Sequence, residues 1–504
     1  MMVPAYEKLA VDREPYLRRA RECAELTIPT SLLPDGWTAY TDLPTPYQSI
    51  GAQGLASLAS KLLLALFPPS QPFFRLVVPE DVIAKSGLQD DDRADMEEDL
   101  AFVEKSVLQE LESSAYRPYI HDALKQLLLA GNCLLYLPKE GGARLYKLDT
   151  YCIRRDFSGK PLEIIIKQKI HAGQATPEQM EILGLRGEES NIGDIDLYTT
   201  IKWDEKKKVY TQKQMLRDIE LPDSVTSYKE SESPWLALRL EPITGQSYGY
   251  GYFSQLLGDL KTLEGLMMAL VDGAAAAAQI RWLVDPTGVT KVRSLEEAPN
   301  GGFVSGREGE VTPITLGNKA YDLRVVQDAV GDITQRLSRA CLLNASVQRQ
   351  AERVTAEEIR LMAQELESVL AGTYSLLSVE FQLPLVELIM KKLERAGVIA
   401  KLPKDFVKPT VVTGLDALGR GADLSRLDAF VQGVLTSFGP EILNQFIDVG
   451  NYMSRRAAAL GLQAKGLIKD PEVVEQERMQ MQAASLANRV APDVVRGMSQ
   501  TPME

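Results

Sequence analysis

Two histidines, His121 and His171, are all the imidazole this 504-residue sequence holds. Acid–base chemistry near neutral pH would therefore fall to carboxylates or lysines in tuned environments. The patterns that arm such groups are missing: there is no H-E-x-x-H, no G-x-S-x-G and no G-x-x-x-x-G-K-[ST] loop. Gly249-Tyr250-Gly251-Tyr252-Phe253-Ser254 comes within one residue of a dinucleotide fingerprint, but it ends in serine and leads into one long helix rather than a βαβ unit. Asp90, Asp91 and Asp92 are consecutive, whereas the oxygen ligands of a calcium loop alternate with spacers, so they read as a solvated helix face. Cys23, Cys133, Cys152 and Cys341 lack any C-x-x-C spacing and read as four reduced, buried thiols. His121, beside Leu124 and Leu128 on a helical face, reads as structural. No catalytic residue, metal or cofactor is expected, and the chain reads as a non-enzyme.

Charge narrows the classes further. Lys and Arg number 56 against 69 Asp and Glu, a formal net charge of −13, with 45% hydrophobic and 25% charged residues. That composition describes a folded chain of about three domains. A protein that grips nucleic acid through a broad basic surface would carry the opposite sign. The N-terminus lacks the apolar core of a signal peptide, and Glu264, Asp272 and Arg281 interrupt the longest apolar run, Leu263 to Val284. Neither secretion nor a membrane span is expected.

The elements follow from periodicity. Residues 4–28 read as an amphipathic helix. Thr45-Pro46 reads as the N-cap and first residue of a second helix, with Leu55, Leu58, Leu62 and Leu66 on one face and Pro68-Pro69 as its stop. A third spans 80–112, with Leu100, Val103, Val107 and Leu111 as its stripe. From Cys133 to Ile243 the texture becomes β-rich, with runs at 134–137, 164–170, 197–203, 209–212 and 235–240. Asp204 to Lys208 reads as a solvated hairpin turn, and Thr176-Pro177-Glu178 as the start of a short helix.

Past Tyr248 to Tyr252, apolar residues at Leu256, Leu260, Leu263, Met267, Leu270 and Ala274 mark a helix of about 30 residues, roughly 45 Å long. A glycine- and proline-rich strand-and-turn excursion occupies 284–319. A second helix follows, capped by Asp322, with Val326, Val330, Ile333, Leu337 and Cys341 on its stripe. A polar stretch, Ser346, Gln348, Arg349, Gln350, Glu352 and Arg353, precedes a Thr355–Glu358 capping box. The helix begun there runs to about Ala396, with a kink or break at Pro384 and Gly397 as C-cap, and Asp470-Pro471-Glu472 opens a helical tail.

Several long strings carry a resemblance. Thr45-Pro46-Tyr47-Gln48, Ala59-Ser60-Lys61-Leu62, Ala65-Leu66-Phe67-Pro68, the run Ala351 to Arg360, Gln382-Leu383-Pro384-Leu385 and the run Thr413 to Gly421 are similar to those of the head-to-tail connectors, or portals, of T7-type short-tailed bacteriophages. The resemblance covers about residues 5–465 in order, and the C-terminal tail departs most.

It implies an α+β, mainly α portal fold assembled as a ring, usually of twelve copies, around a DNA channel at one capsid vertex. The implied parts are N-terminal helices and a β-rich wing over 1–252, a first stem helix over 253–283 and a clip over 284–321. A second stem helix then covers 322–343 and a tunnel loop 344–355, with a long wing helix and its sequel over 356–440 and a helical crown over 441–504. The implied partners are the major capsid protein, a scaffolding protein, the large terminase, a tail adaptor, internal core proteins and double-stranded DNA as non-specific cargo, with assembly in the host cytoplasm and a final place in the virion at the head-tail junction.

Within that frame Gln348, Arg349, Gln350 and Arg353 are the tunnel-loop candidates. Arg349 is assigned to DNA phosphates, while Arg353 is read as an ion-pair partner of Glu352, Glu357 or a neighbouring subunit's acid. Gly301, Phe303, Arg307, Glu308 and Glu310 are the clip candidates for docking the terminase or adaptor. The Ala274 to Ala278 run suits either a high-propensity helix segment or close approach between neighbouring stems. The alternatives are a virion-associated hydrolase or nuclease, and a cytosolic adaptor that forms no ring.

Overall fold

The computed structural model describes residues 2–69, 73–78, 90–138, 141–170, 194–216, 219–222, 224–278, 281–314, 319–343, 362–401 except 363, 367 and 371, 408–411, 419–439, and nine positions between 446 and 480. The tunnel-loop candidates Gln348, Arg349, Gln350 and Arg353 lie outside the described residues, as do the Thr355–Glu358 capping box, the helix at Thr176 and the tail opening at Asp470. The chain divides into two units, residues 1–67 with 114–388 and residues 68–113 with 389–504. Helices and antiparallel sheets occupy separate stretches, the α+β arrangement expected.

In the larger unit the helices Met2–Glu25 and Tyr116–Ala130 pack over antiparallel sheets, and Ile50–Leu66 packs on Tyr116–Ala130. One sheet orders Tyr151–Arg155, Pro161–Ile170, Ile195–Asp204, Val209–Leu216 and Ile219–Glu220 side by side, with Thr226–Lys229 also on Val209–Leu216. Its register sets Tyr198 and Ile165 on the face where Tyr6 and Leu9 of the first helix bury themselves. Arg13 crosses the same interface; its guanidinium donates to the Tyr6 hydroxyl and to the carbonyls of Leu148, Asp149 and Tyr151. All four acceptors gather on one guanidinium nitrogen, Nη1, while the buried Nε goes without a partner, so the charge is solvated by the protein from one side only.

The second helix starts later than sequence predicts, at Ile50 rather than Pro46. The cause is long-range. The backbone N–H groups of Tyr47 and Gln48 donate to the Glu264 carboxylate, which keeps them out of the helix. Gln48 then closes the helix start, its Oε1 accepting from Gly51 N and its Nε2 donating to Leu26 O. Leu55, Leu58, Leu62 and Leu66 are fully buried, as the stripe predicts.

The break expected at Pro384 takes a specific form. Residues Ser378–Gln382 widen into one π turn between the α-helices Gly372–Leu377 and Leu383–Arg395, with Leu383 N donating to Ser378 O. Pro384 has no N–H to return to Glu380 O and its ring would collide with that carbonyl, and the wider turn moves the carbonyl aside. Phe381 edges onto Phe67, Gln382 Nε2 donates to Leu66 O, and Glu380 lies 3.8 Å from Arg239.

In the smaller unit Phe74–Val77 pairs antiparallel with Lys408–Val411. The helix Asp90–Ser113 buries Leu100, Val103, Val107 and Leu111, the stripe read from sequence. Its Glu104 accepts from Leu76 N, and Glu110 pairs with Lys392 at 2.8 Å. Gly397 at φ 71° ends the preceding helix as expected. A further helix, Gly419–Phe438, leaves Phe430 and Phe438 exposed.

Candidate functional site: a helical hairpin with a β tip

Two helices, Phe253–Ala278 and Lys319–Ala340, pack against each other and are joined by a small β module. Both differ at their ends from the sequence expectation. The first stops at Ala278 instead of 283, because Arg281–Val284 is drawn into an antiparallel pair with Val311–Ile314. The second begins at Lys319, three residues before Asp322.

Contact between the helices is graded along their length. Near the base Phe253, Leu257, Leu260 and Leu263 are buried, as are Ile333, Leu337 and Cys341 on the facing helix. Leu257 takes the deep position that the periodicity gave to Leu256, which is only half-buried. Arg336 bridges to Asp259 at 2.8 Å, and Lys261 to Glu22 at 2.6 Å. Beyond Leu263 burial lapses: Met268, Val271, Tyr321 and Val325 stand 46–73% exposed in the single chain.

The β tip is organised by one carboxylate. Glu310 accepts hydrogen bonds from Val289 N, Thr290 N, Thr290 Oγ1 and Arg307 N. These donors, the Thr290 hydroxyl foremost, hold its carboxyl below the usual carboxylate range. Asp285, lowered likewise by the Thr287 backbone and hydroxyl, ties the adjacent turn. Gly306 lies so close to this knot that a Cβ there would meet Thr290 Oγ1 at 2.3 Å, so no larger residue fits without displacement.

The structure thus separates the clip candidates. Glu310 is spent inside the module, Gly301 turns the chain at φ 82°, and Phe303, Arg307 and Glu308 are exposed, Phe303 completely. Trp282 and Leu283, at 59% and 58% exposure, are further apolar residues left uncovered on the β pair. Sequence reasoning did not single out Glu264, which holds 47–48, or Glu310 as an internal tie. The available signal for Glu264 was its place as one of two acids that interrupt an apolar run.

Groups that could do covalent chemistry are quiet. All four cysteines are buried, and burial pushes Cys23 up to about 11 and Cys341 up to about 12, so neither is a thiolate at neutral pH. His121 Nε2 lies 3.3 Å from Ser60 Oγ, and burial pushes its imidazole down. Among the described residues no group of three or more His, Cys, Asp or Glu side chains could hold a metal, and no helix is long and apolar enough to cross a membrane.

Comparison with known proteins places these elements in context. Residues 3–468 match the family model for the bacteriophage head to tail connecting protein. The chain is 39% identical over 502 residues to the portal protein of Escherichia phage T7, covering 98% of this chain and 93% of that one. It is 37% identical over 485 residues to the portal protein of Enterobacteria phage T3, covering 95% and 90%. Among solved structures, a chain from the neck of an empty GTA particle aligns with a TM-score of 0.38 and 10% identity, over 82% of this chain and 90% of that chain.

Proposed function

This chain belongs to the bacteriophage head to tail connecting protein family, and we propose that it is the portal subunit of a short-tailed phage, a ring at one capsid vertex that conducts the genome in during packaging and out during ejection. The observation that carries this reading is the helical hairpin with its β tip, set within a chain matched to the family almost end to end. Two packed helices are a rigid strut. Repeated around an axis, struts whose outer halves expose Met268, Val271, Tyr321 and Val325 bury those side chains against the next copy and enclose a hole.

Twelve copies is the proposed number. The exposed end of the β tip, Phe303, Arg307 and Glu308 with Gly301 at its turn, is the proposed docking face for the terminase and later the tail adaptor. The tunnel-loop roles of Gln348, Arg349, Gln350 and Arg353, with Arg349 touching DNA phosphates, remain part of the proposal. So do contacts with the capsid, scaffolding and internal core proteins, assembly in the host cytoplasm, and the absence of enzymatic chemistry. The net charge of −13, repeated twelve times to about −156, supports DNA as cargo that slides rather than sticks.

Light scattering tests the reading directly. A dodecamer of the 55.7 kDa chain has a mass of about 668 kDa and an axial hole in end-on images; a stable monomer at working concentration overturns it.

A further inference from the structure

Two helices of this protein end in the same hydrogen-bond motif with different residues at its turning point. At the end of Leu383–Arg395, Gly397 N donates to Glu394 O and Val398 N to Leu393 O, with Gly397 at φ 71°. At the end of Lys319–Ala340, Leu342 N donates to Arg339 O and Leu343 N to Ser338 O, with Leu342 at φ 53°. Glycine adopts that left-handed conformation freely, and leucine does so only under outside constraint.

The constraint comes from the helix Ile50–Leu66 and from the start of the first hairpin helix. Lys61, a buried lysine, donates from Nζ to Leu342 O at 2.5 Å. The hydroxyl of Tyr252 donates to Ala340 O at 3.0 Å. Cys341 between them is buried against Gly54, where a Cβ would come within 2.6 Å of its sulfur, so glycine is what lets the two backbones approach. A cation at the carbonyl end of a helix is also favoured by the negative end of the helix dipole. Burial holds the Lys61 ammonium below its usual pKa, which is the cost of placing it there.

We propose that Lys61 and Tyr252 are positioning residues of the portal, which clamp the last turn of the second hairpin helix and thereby fix the direction in which the chain leaves the stem. The inference rests on the portal reading for its functional consequence, while the clamp itself is a property of the single chain. It accounts for the lysine in Ala59-Ser60-Lys61-Leu62, which lies on an otherwise apolar, buried helix face where leucine or methionine would pack at lower cost.

The test uses the full chain carrying Lys61→Met, Lys61→Arg or Tyr252→Phe. Lys61→Met is expected to form rings of unchanged mass with amide exchange at Leu342 and Leu343 accelerated at least about tenfold, the factor of one charge-assisted hydrogen bond. Exchange in Leu257 to Leu263 stays as in the parent. Phage carrying Lys61→Met yields fewer DNA-filled heads per assembled ring, and Lys61→Arg restores both exchange and filling. Tyr252→Phe keeps the ring and gives a smaller rise in exchange at the same residues, which serves if Lys61→Met does not assemble. Unchanged exchange at Leu342 and Leu343 in assembled rings overturns the clamp, and faster exchange with normal filling overturns its role in positioning. A parent protein that forms no ring overturns the portal reading instead.

Discussion

The base and the tip of the helical hairpin solve the same problem in opposite ways. At the base, Leu257, Leu260, Leu263, Ile333 and Leu337 are buried within one chain, and ion pairs such as Arg336–Asp259 lie at the rim. At the tip, Trp282, Leu283 and Phe303 are exposed, and order comes from a short strand pair, the Asp285 turn and the Glu310 carboxylate gathering four donors. The base is held by apolar packing within the chain, while the tip keeps its shape by hydrogen bonds and leaves its apolar side chains uncovered.

That contrast can be broken most forcefully at the base. Leu337→Ala removes a side chain 1% exposed and is expected to destabilise the folded chain by about 2–5 kcal/mol, read as a lower denaturation midpoint. Trp282→Ser at the tip should leave that midpoint within about 0.5 kcal/mol while raising the concentration needed for rings about tenfold; sedimentation across a dilution series measures it, and equal assembly would deny the tip any share in subunit contact. Glu310→Gln weakens its ties to Val289 and Thr290, so exchange of those two amides should quicken with the midpoint unmoved.

Acid sharpens the same point. The folded pKa of Glu310 is depressed, so its contribution is complete above the ordinary carboxylate range and is lost as pH falls through the folded value. The tip should accordingly loosen only on acidification, with the protection of the Thr290 amide relative to its intrinsic exchange rate unchanged between neutral and mildly alkaline pH. The smallest effect is Arg336→Ala. Its guanidinium is 62% exposed, and the loss should lie within about 0.2–1 kcal/mol and shrink with added salt.

Local pattern carried much of this architecture. Leu100, Val103, Val107 and Leu111 are a helical stripe by spacing and are buried as one, and the β runs near 164, 197, 209 and 235 are strands. What escaped local reading was decided by partners far away in sequence. Thr45-Pro46 has the form of a helix start, yet Glu264, more than two hundred residues on, claims the N–H groups that the turn would have used. The helix expected to reach 283 yields at 278 to a strand partner thirty residues later. Of the docking candidates, Phe303, Arg307 and Glu308 are exposed, whereas Glu310 is indistinguishable in sequence from another surface acid until Thr290 folds beside it. Lys61 was visible only as a letter in a family-like string, because its acceptor is a backbone carbonyl, which no side-chain pattern marks.

The antiparallel pair at the neck of the tip has one more consequence. Arg281 faces Ile314 and Val284 faces Val311, so everything between leaves and returns through a gap one strand spacing wide. Segments inserted or exchanged beyond that neck pay only a closure entropy that grows slowly with length, and they pass no strain into the helices. Evolution can treat the tip as a cassette, exchanged without disturbing the helices below.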